Sequence, residues 1–178
     1  MCDLQDLLRH CMVYMIIIAD KINKFEFSKI VDLYADDLEV SRKRKYGTMP
    51  EYEGKIFAEQ DYYLYLKDVF FSEIKGILYI LEENGRYISA ACIEPFKDGF
   101  LLNSLVTAKD FRKKGYAKQL LYAAFENLKD VTLYSHVHIK NAASIHLHEK
   151  LEFDSLHQYA HMLDGSVRSD HYTYIKNL

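Results

Sequence analysis

The sequence predicts an α/β fold built as one domain, in which helices flank a mixed, mostly antiparallel β-sheet. Two apolar runs, Ile77–Leu81 and Tyr87–Ile93, are separated by Asn84-Gly85, which is typical of an antiparallel hairpin. A third apolar run at 100–107 is followed by a basic loop with one glycine and then by an amphipathic helix. Strand and helix patterns continue to alternate after it, which indicates an α/β connectivity.

Length and composition indicate how many domains the chain forms and which partners and cellular compartment to expect. The chain has 178 residues, of which 49% are apolar in the broad sense, and this favours a single domain over 1–178 with a substantial core. The formal net charge of -3 gives no general reason to expect nucleic acid as a partner. Three cysteines without a C-x-x-C spacing indicate a reducing, cytoplasmic location.

The N-terminal segment predicts a helix and then a strand. Asp3 can cap a short helix whose apolar positions, as far as Cys11, share one face, so an extra N-terminal helix is expected. Val13 to Ile18 then has the β-branched density of a first strand. The apolar run from Met12 to Ala19 is too short for a membrane span and lacks the features of a signal peptide.

Two further helices are predicted before the hairpin. The first extends from about Glu26 to Leu38, with acidic residues near its C-terminal end, where they oppose the helix dipole and suggest another use. The second extends from about Phe57 to Phe71, and its tyrosines could line a substrate pocket, although core packing is the default. Ser41–Lys45, between these helices, is predicted to be a basic loop; a solvated charged face is favoured there over RNA or DNA binding.

The basic glycine loop has the chemistry of an anion site. The first backbone N–H groups of the following helix lack partners within it, and the helix dipole adds positive charge at the same end. A glycine lets a phosphate approach the main chain, and the neighbouring cations attract it. The predicted site consists of Arg112, Lys113, Lys114, Gly115, Tyr116, Ala117 and Lys118. Neither a P-loop nor a three-glycine dinucleotide motif is present, so a nucleoside triphosphate or NAD has little support.

This R-x-x-G-x-A pattern between a strand and an amphipathic helix resembles the acyl-CoA pyrophosphate loop of the GNAT superfamily of N-acetyltransferases. After a further predicted strand at 131–138, the segment 141–153, Asn-Ala-Ala-Ser-Ile-His-Leu-His-Glu-Lys-Leu-Glu-Phe, resembles the superfamily's other signature. The resemblance covers roughly residues 76–176. It implies a GNAT-like acyl-CoA N-acyltransferase fold with acetyl-CoA as cosubstrate and no metal.

The resemblance also implies where the cofactor lies. The pantetheine arm would pair with the backbone of the central strand at Leu105, Val106 and Thr107, and a backbone N–H there could face the thioester oxygen. Asn141 and Ser144 share one helical face with the residue at 148 and are expected to meet the cofactor. An adjoining stripe at Ala143, Leu147 and Leu151 would pack against the core.

Three positions depart from the superfamily pattern. His148 stands where a thiolate-protonating tyrosine is common, and an imidazolium could donate that proton; a packed residue without a catalytic part is the other interpretation. Glu152 replaces a glycine, and Asn103, which cannot titrate, stands where many members carry a glutamate. The candidates for the base are therefore Glu94, His136 or a water chain, and we take His148 and Glu94 as the catalytic candidates.

The resemblance implies an N-acetyltransferase that moves an acetyl group from acetyl-CoA to a primary amine of a small molecule or peptide, directly in a ternary complex. The alternative is a non-catalytic acyl-CoA-binding or regulatory module of the same fold, since the usual glutamate and tyrosine are missing. No nucleic-acid or membrane partner is expected, and a homodimer is allowed. Acidic residues in the N-terminal third weakly favour a cationic amine. They are Asp32, Asp36, Asp37, Glu51, Glu53, Glu59 and Asp61.

A metal site is a further hypothesis, because the chain has eight histidines. His136 and His138 share one strand face, and His157 and His161 would share another. No cysteine or carboxylate cluster completes a tetrahedral set, so no metal is expected.

Overall fold

The computed structural model describes residues 14–162 and 165–178. Seven strands form one sheet in the order β1-β2-β3-β4-β5-β7-β6. They are Tyr14–Ala19 (β1), Ile77–Glu83 (β2), Arg86–Phe96 (β3), Gly99–Thr107 (β4), Thr132–His138 (β5), Asp154–His161 (β6) and Val167–Asn177 (β7). Only β4 and β5 pair in parallel; the other neighbours are antiparallel. The predicted mixed, mostly antiparallel sheet is confirmed, and the predicted N-terminal helix lies outside the described residues.

In the described part of the chain there are five α-helices. They are Phe27–Leu33 (α1), Ala35–Tyr46 (α2), Glu51–Leu64 (α3), Tyr116–Asn127 (α4) and Ala142–Lys150 (α5). A π-helical turn, Tyr65–Phe70, continues α3 towards the sheet. None of the described helices is long and apolar enough to cross a bilayer.

The helices divide between the two faces of the sheet because strand side chains alternate. Leu78 and Ile80 of β2 are buried with α1 and the π-helical turn on what we call the α1 face. Tyr79 and Leu81 are buried with α4, α5 and Phe153, the residue before β6, on the opposite side, the α4 face. A fully covered sheet explains why β2 and β3 are almost continuously apolar.

Two predictions for the segment between β1 and β2 were wrong. The helix predicted from Glu26 to Leu38 breaks at Tyr34, and 41–45 is not a loop but the second half of α2. Glu39 stabilises that half because its carboxylate pairs with both Arg42 and Lys43, at i+3 and i+4. The following helix begins earlier than predicted, directly after Pro50, a residue suited to a helix start.

The break at Tyr34 moves the acidic residues to a different end of a helix. Asp36 and Asp37 were predicted near a helix C-terminus, but they lie in the first turn of α2. Negative charge is favourable there because the backbone N–H groups of the first turn carry partial positive charge. The acidic residues therefore need no separate structural explanation.

The parallel strands β4 and β5 separate part of the way along their length. Phe100–Leu102 pairs with Leu133–Ser135, and within the described residues neither strand pairs with the other beyond that point. Asn103 forms a bulge at the separation, since Cys92 pairs with Ser104 while the next residue of β3 pairs with Leu102. We call the gap the strand split; it leaves one edge of β4 open from Asn103 to Thr107.

Candidate functional site

The start of α4 is open to solvent. Gly115 is its N-cap residue and has a φ of 89°, in the left-handed region that glycine adopts without strain. A side chain at Gly115 would meet no atom within 4 Å, and 112–115 are all exposed. An anion could therefore reach the unpaired N–H groups of the first turn of α4.

Arg112 connects the basic loop to two neighbouring elements. Its Nε donates to the carbonyl oxygen of Thr107, 3.0 Å away at the end of β4. Its guanidinium also lies 3.6 Å from Asp36 of α2. Lys114 lies over the Phe111 ring, 5.1 Å from its centroid, and shields that ring at the edge of the loop. The loop is thus held against both the open edge of β4 and the start of α2.

Tyr116 and Ala117 differ in what they can offer a ligand. The Tyr116 side chain is buried, and its hydroxyl donates to the carboxylate of Glu83, with both oxygens 3.1 Å away. Only the main chain of Tyr116 can therefore take part in anion binding. Ala117 and Lys118 are half-buried in the first turn of α4; a methyl group at 117 leaves that turn unobstructed.

The open edge of β4 leads from the strand split to the loop. Leu105, Val106 and Thr107 are half-buried and pair with Ala91, Ala90 and Ser89 of β3 on one side only. The Ser89 hydroxyl fixes the end of this pairing, because it donates to the Val106 carbonyl oxygen 2.7 Å away. The main-chain groups that face β5 are left for a ligand that pairs like a strand.

Glu94 is buried beside the strand split. It shares the α1 face with Ala90 and Cys92, and it lies opposite Leu101 of β4. Its side chain is fully buried, neither carboxylate oxygen has a close hydrogen bond within the described part of the chain, and the amide of Asn103 lies nearby. Burial raises the pKa of Glu94, and the amide of Asn103 offsets part of the rise. An unpartnered carboxylate with a raised pKa is a stronger base than an exposed one.

A cavity of about 270 Å³ lies on the α1 face between α2, α3 and the π-helical turn. We call it the tyrosine pocket; its lining includes Tyr34, Asp37, Lys45, Asp61, Tyr62 and Tyr65. The Tyr34 hydroxyl lies 3.2 Å from the hydroxyl of Ser104 in β4. The inner wall of the pocket is therefore in contact with the strand that forms the split.

A hydroxyl that lines the tyrosine pocket and a thiol behind its wall are both buried. The Tyr62 hydroxyl is buried and has no hydrogen-bond partner among the described residues. The Cys92 thiol is 3.8 Å from the Tyr34 hydroxyl, and burial raises its pKa to about 12. Since the thiolate is the nucleophile, Cys92 stays an inert thiol near neutral pH.

His148 is buried on the α4 face. Its ring packs against Phe153 and Tyr174, with centroids 4.7 and 5.1 Å away. Nδ1 lies 2.7 Å from the carbonyl oxygen of Ser144, which can only accept, so Nδ1 carries the proton in the neutral ring. Burial lowers the pKa of His148. Nε2 is then a bare acceptor, buried and without a partner among the described residues.

Asn141 and Ser144 hold the start of α5. The Asn141 side chain accepts from the Ser144 N–H, 3.1 Å away, which is an N-cap contact. The Ser144 hydroxyl is 3.4 Å from Nδ1 of His148, so the predicted shared face exists. The predicted packing of α5 was wrong in one respect: Ala143 is exposed, whereas His148 is the buried residue. Leu147 and Leu151 pack against the core as predicted, and Ile145 packs there in place of Ala143.

The histidines of β5 are engaged within the sheet. His136 lies 3.1 Å from the carbonyl oxygen of His161 and 3.3 Å from the hydroxyl of Thr173, and burial lowers its pKa. Both ring nitrogens thus have partners, which leaves His136 less free than Glu94 to act as a base. No group of three or more histidine, cysteine or acidic residues suited to a metal occurs within 14–162 and 165–178.

Three of the four basic residues of α2 are paired with carboxylates. Arg42 donates two hydrogen bonds of 2.7 Å to Glu39, and its pKa is raised by that contact. Lys43 lies 3.2 Å from the same carboxylate, and Lys45 lies 2.8 Å from Asp61. Cations that are already paired make a poor phosphate-binding surface, so the geometry does not favour nucleic-acid binding here.

Sequence reasoning found some of these groups and missed others. The anion loop, Glu94 and the segment with His148 were all predicted as site residues. Tyr34 was assigned only to a helical face, and its contact with Ser104, 70 residues further on, left no local signal. For the tyrosines of the helix after residue 50, core packing was the default prediction and a pocket the other interpretation; Tyr62 and Tyr65 line a cavity.

Comparisons with known proteins agree with the fold. The sequence model of the Acetyltransferase (GNAT) family matches residues 30–153. No curated protein sequence matches the chain. The structure is similar to that of the ribosomal-protein-S18-alanine N-acetyltransferase from Escherichia coli, with a TM-score of 0.55 and 20% identity over 90% of this chain and 92% of that one.

Two other solved structures share the architecture. PaiA N-acetyltransferase from Thermoplasma acidophilum, in complex with coenzyme A, has a TM-score of 0.58 and 15% identity over 92% of this chain and 99% of that one. Histone acetyltransferase HPA2 and related acetyltransferase from Corynebacterium glutamicum has a TM-score of 0.62 and 16% identity over 93% of this chain and 97% of that one. Likeness at these identities shows a shared fold.

Proposed function

The chain belongs to the GNAT acetyltransferase family, and we propose that it transfers the acetyl group of acetyl-CoA to a primary amine of a small molecule or peptide, directly in a ternary complex. The observation that carries the proposal is the strand split. It joins an open helix N-terminus on one side to a buried, unpartnered carboxylate, Glu94, on the other. Direct transfer needs such an arrangement because both substrates must be held at one point.

The cosubstrate fits the open groups of the chain. The start of α4 and the loop Arg112–Lys118 would hold the pyrophosphate, because a glycine without neighbours leaves room for it there. The open edge of β4 at Leu105–Thr107 would pair with the pantetheine arm. Asn141 and Ser144 would border the cosubstrate from α5. A β4 backbone N–H near the split would then stabilise the oxyanion of the tetrahedral intermediate.

Glu94 takes the first proton in this proposal. An amine with a lysine-like pKa of about 10.4 arrives protonated and cannot attack a carbonyl carbon until it loses a proton. The Glu94 carboxylate accepts that proton, directly or through water. Its raised pKa makes the transfer less uphill than it would be to an ordinary carboxylate.

His148 takes the second proton. When the amine attacks the thioester, its nitrogen becomes positively charged and must lose another proton before the intermediate collapses. The bare Nε2 of neutral His148 accepts this proton and passes it to the sulfur as the C–S bond breaks. The products are an amide and the free thiol of coenzyme A, and the proton on Glu94 returns to solvent.

A turnover assay on a panel of amines tests the proposal. Release of the coenzyme A thiol and formation of the acetylated amine should both occur with the parent chain, and both should fall strongly in Glu94→Gln. Binding of acetyl-CoA without transfer to any amine would contradict an enzyme. It would favour the non-catalytic module instead, for which the neutral, buried state of His148 is the specific observation.

Three further features stay predictions within this proposal. A cytoplasmic location can be checked by fractionation, a homodimer by light scattering, and the single domain over 1–178 by limited proteolysis. No metal has a part in the proposed mechanism, so a chelator should leave turnover unchanged.

A further inference from the structure

Two carboxylates line the tyrosine pocket, and they differ in whether a cation of the protein pairs with them. Asp61 is committed, since Lys45 and the Tyr46 hydroxyl both lie 2.8 Å from it. Asp37, on the rim, makes no salt bridge within the described part of the chain; Arg112 pairs with its neighbour Asp36. Lys45 and Asp61 cancel each other, so the net charge of the pocket lining is that of Asp37.

The inner wall of the pocket is aromatic, and it contacts β4 at the strand split. The Tyr34 and Tyr62 rings are 5.5 Å apart between centroids, and aromatic faces attract cations. The Tyr34 hydroxyl lies 3.2 Å from Ser104 at the strand split. It also lies 3.8 Å from the thiol of Cys92, and Glu94 follows two residues later on the same face of β3. The inner wall of the pocket therefore contacts the stretch of β3 that carries Glu94.

The size of the cavity limits what can enter. At about 270 Å³ it lies just below the roughly 300–1,000 Å³ that is usual for small-molecule pockets, and it suits a slender ligand. The Tyr62 hydroxyl is buried at this wall beside Tyr34, where an amine of the ligand could donate a hydrogen bond to it. A ligand with a carboxylate group would be repelled at the rim by Asp37.

We propose, as an extension of the proposed function, that the tyrosine pocket binds a small aliphatic diamine as the acetyl acceptor. The distal ammonium group pairs with Asp37 at the rim. The aliphatic chain lies between Tyr34, Tyr62 and Tyr65, and the reacting amine lies next to Glu94. A monoamine of equal length leaves Asp37 without a partner and binds more weakly.

The test compares 1,4-diaminobutane with 1-aminobutane. Binding of each is measured by calorimetry and by tyrosine fluorescence, which tryptophan does not mask because the chain has none. The parent should bind the diamine roughly ten-fold more tightly, the size expected of one charge-assisted contact. Asp37→Asn should remove this preference, and added salt should reduce it in the parent.

Asp68→Asn is the matched control. It makes the same chemical change at an exposed position on the π-helical turn, outside the pocket, and should keep the parent's preference. Equal binding of the two amines, no binding of either, or the same result for both variants would overturn the diamine proposal.

Turnover is measured separately, so that the two proposals can fail independently. A diamine that binds with the expected preference but is never acetylated would contradict the proposed transfer and leave the pocket assignment standing. Acetylation of 1-aminobutane as readily as of 1,4-diaminobutane would support the transfer and overturn the diamine assignment.

Discussion

The two faces of the sheet contribute to the site in different ways. On the α4 face the cosubstrate would meet mainly backbone: the open start of α4 at Gly115 and the unpaired edge of β4. On the α1 face the acceptor would meet side chains from distant parts of the sequence, among them Tyr34, Tyr62 and Glu94. A backbone site needs a local conformation, whereas a side-chain site needs a correct tertiary structure.

This difference predicts how each face responds to substitution. In the basic loop at the start of α4 the side chains are exposed, so among substitutions in the loop only one that blocks the backbone should have a large effect. On the α1 face, a change of one functional group should change chemistry or selectivity while the fold persists.

The largest effect is expected for Glu94→Gln. The amide keeps the shape of the side chain but cannot accept the proton of the ammonium group, so kcat should fall about 10²- to 10⁴-fold. Steady-state kinetics with a saturating diamine measure this loss. Glu53→Gln, which changes an exposed glutamate in the first turn of α3, is the control and should retain the parent rate.

The same substitution should raise thermal stability. The pKa of Glu94 is raised above its ordinary value of 4.5 in the folded state, so the folded chain holds this proton more tightly than the unfolded chain does. The resulting stability is present below pH 4.5 and is lost as pH rises through the raised pKa. Glu94→Gln should therefore melt higher than the parent at pH 7, by about 2–4 °C for each kcal/mol gained, and no higher at pH 4. A lower melting temperature at pH 7 would contradict an unpartnered carboxylate.

His148→Phe should have the next largest effect. It keeps an aromatic ring against Phe153 and Tyr174 but removes the proton carrier, and we expect kcat to fall by about 10²-fold, the lower end of the general-acid range, since a thiolate already leaves readily. Affinity for acetyl-CoA should be preserved. His148→Tyr should recover part of the rate, because a phenol can also donate to sulfur. If His148→Phe keeps the full kcat while the chemical step is shown to be rate-limiting, His148 does not carry the proton to the sulfur.

The pH dependence of kcat shows whether His148 begins the reaction as a neutral proton acceptor or as an imidazolium. The pKa of His148 is lowered from 6.5 by burial, so a neutral relay works above that lowered pKa and kcat should rise as pH increases through it. If catalysis instead required the imidazolium at the start, kcat would fall over the same range. A kcat profile from pH 5 to 8 decides between them. The part of the rise that comes from His148 should be absent from His148→Phe, whereas the part that comes from ionisation of Glu94 should remain there.

The smallest effects are expected from substitutions at Asp37 and Asp36, which should act on different substrates. Asp37→Asn should raise KM for a diamine several-fold with little change in KM for acetyl-CoA, and the effect should shrink in salt. Asp36→Asn removes the exposed partner of Arg112, 3.6 Å away, and should change acetyl-CoA affinity by no more than about 2- to 5-fold, as for other exposed pairs. Equal effects of Asp37→Asn on both substrates would remove the assignment of the faces.

The conformation of the proposed cofactor side could be predicted from sequence because its signals are local. Gly115, the cations before it and the amphipathic helix after it are neighbours along the chain, and so are Asn141, Ser144 and His148. The strands β2 and β3 could be predicted for the same reason, because the Asn84-Gly85 turn and the apolar runs beside it are short-range signals.

The acceptor side could not be predicted in the same detail. Tyr34, where the predicted helix breaks, contacts Ser104, which lies 70 residues further along the chain. The burial of His148 was also hidden, because its ring packs against Phe153 and against Tyr174 of β7. These contacts are tertiary, and periodicity along the chain does not carry them. The helix at 41–45, in contrast, has a local signal in Glu39, which pairs with Arg42 and Lys43 three and four residues later.

The central claim is that the open start of α4 holds the cosubstrate through its backbone. The most direct measurement is calorimetric titration of acetyl-CoA into the parent, Gly115→Val and Gly165→Val. Both glycines have positive φ, 89° and 80°, and open space around them, so the two variants carry the same kind of strain and differ only in position. We predict that Gly115→Val loses acetyl-CoA affinity by at least about 100-fold, the size of two charge-assisted hydrogen bonds, while Gly165→Val binds like the parent. Unchanged affinity in a folded Gly115→Val chain would contradict the account.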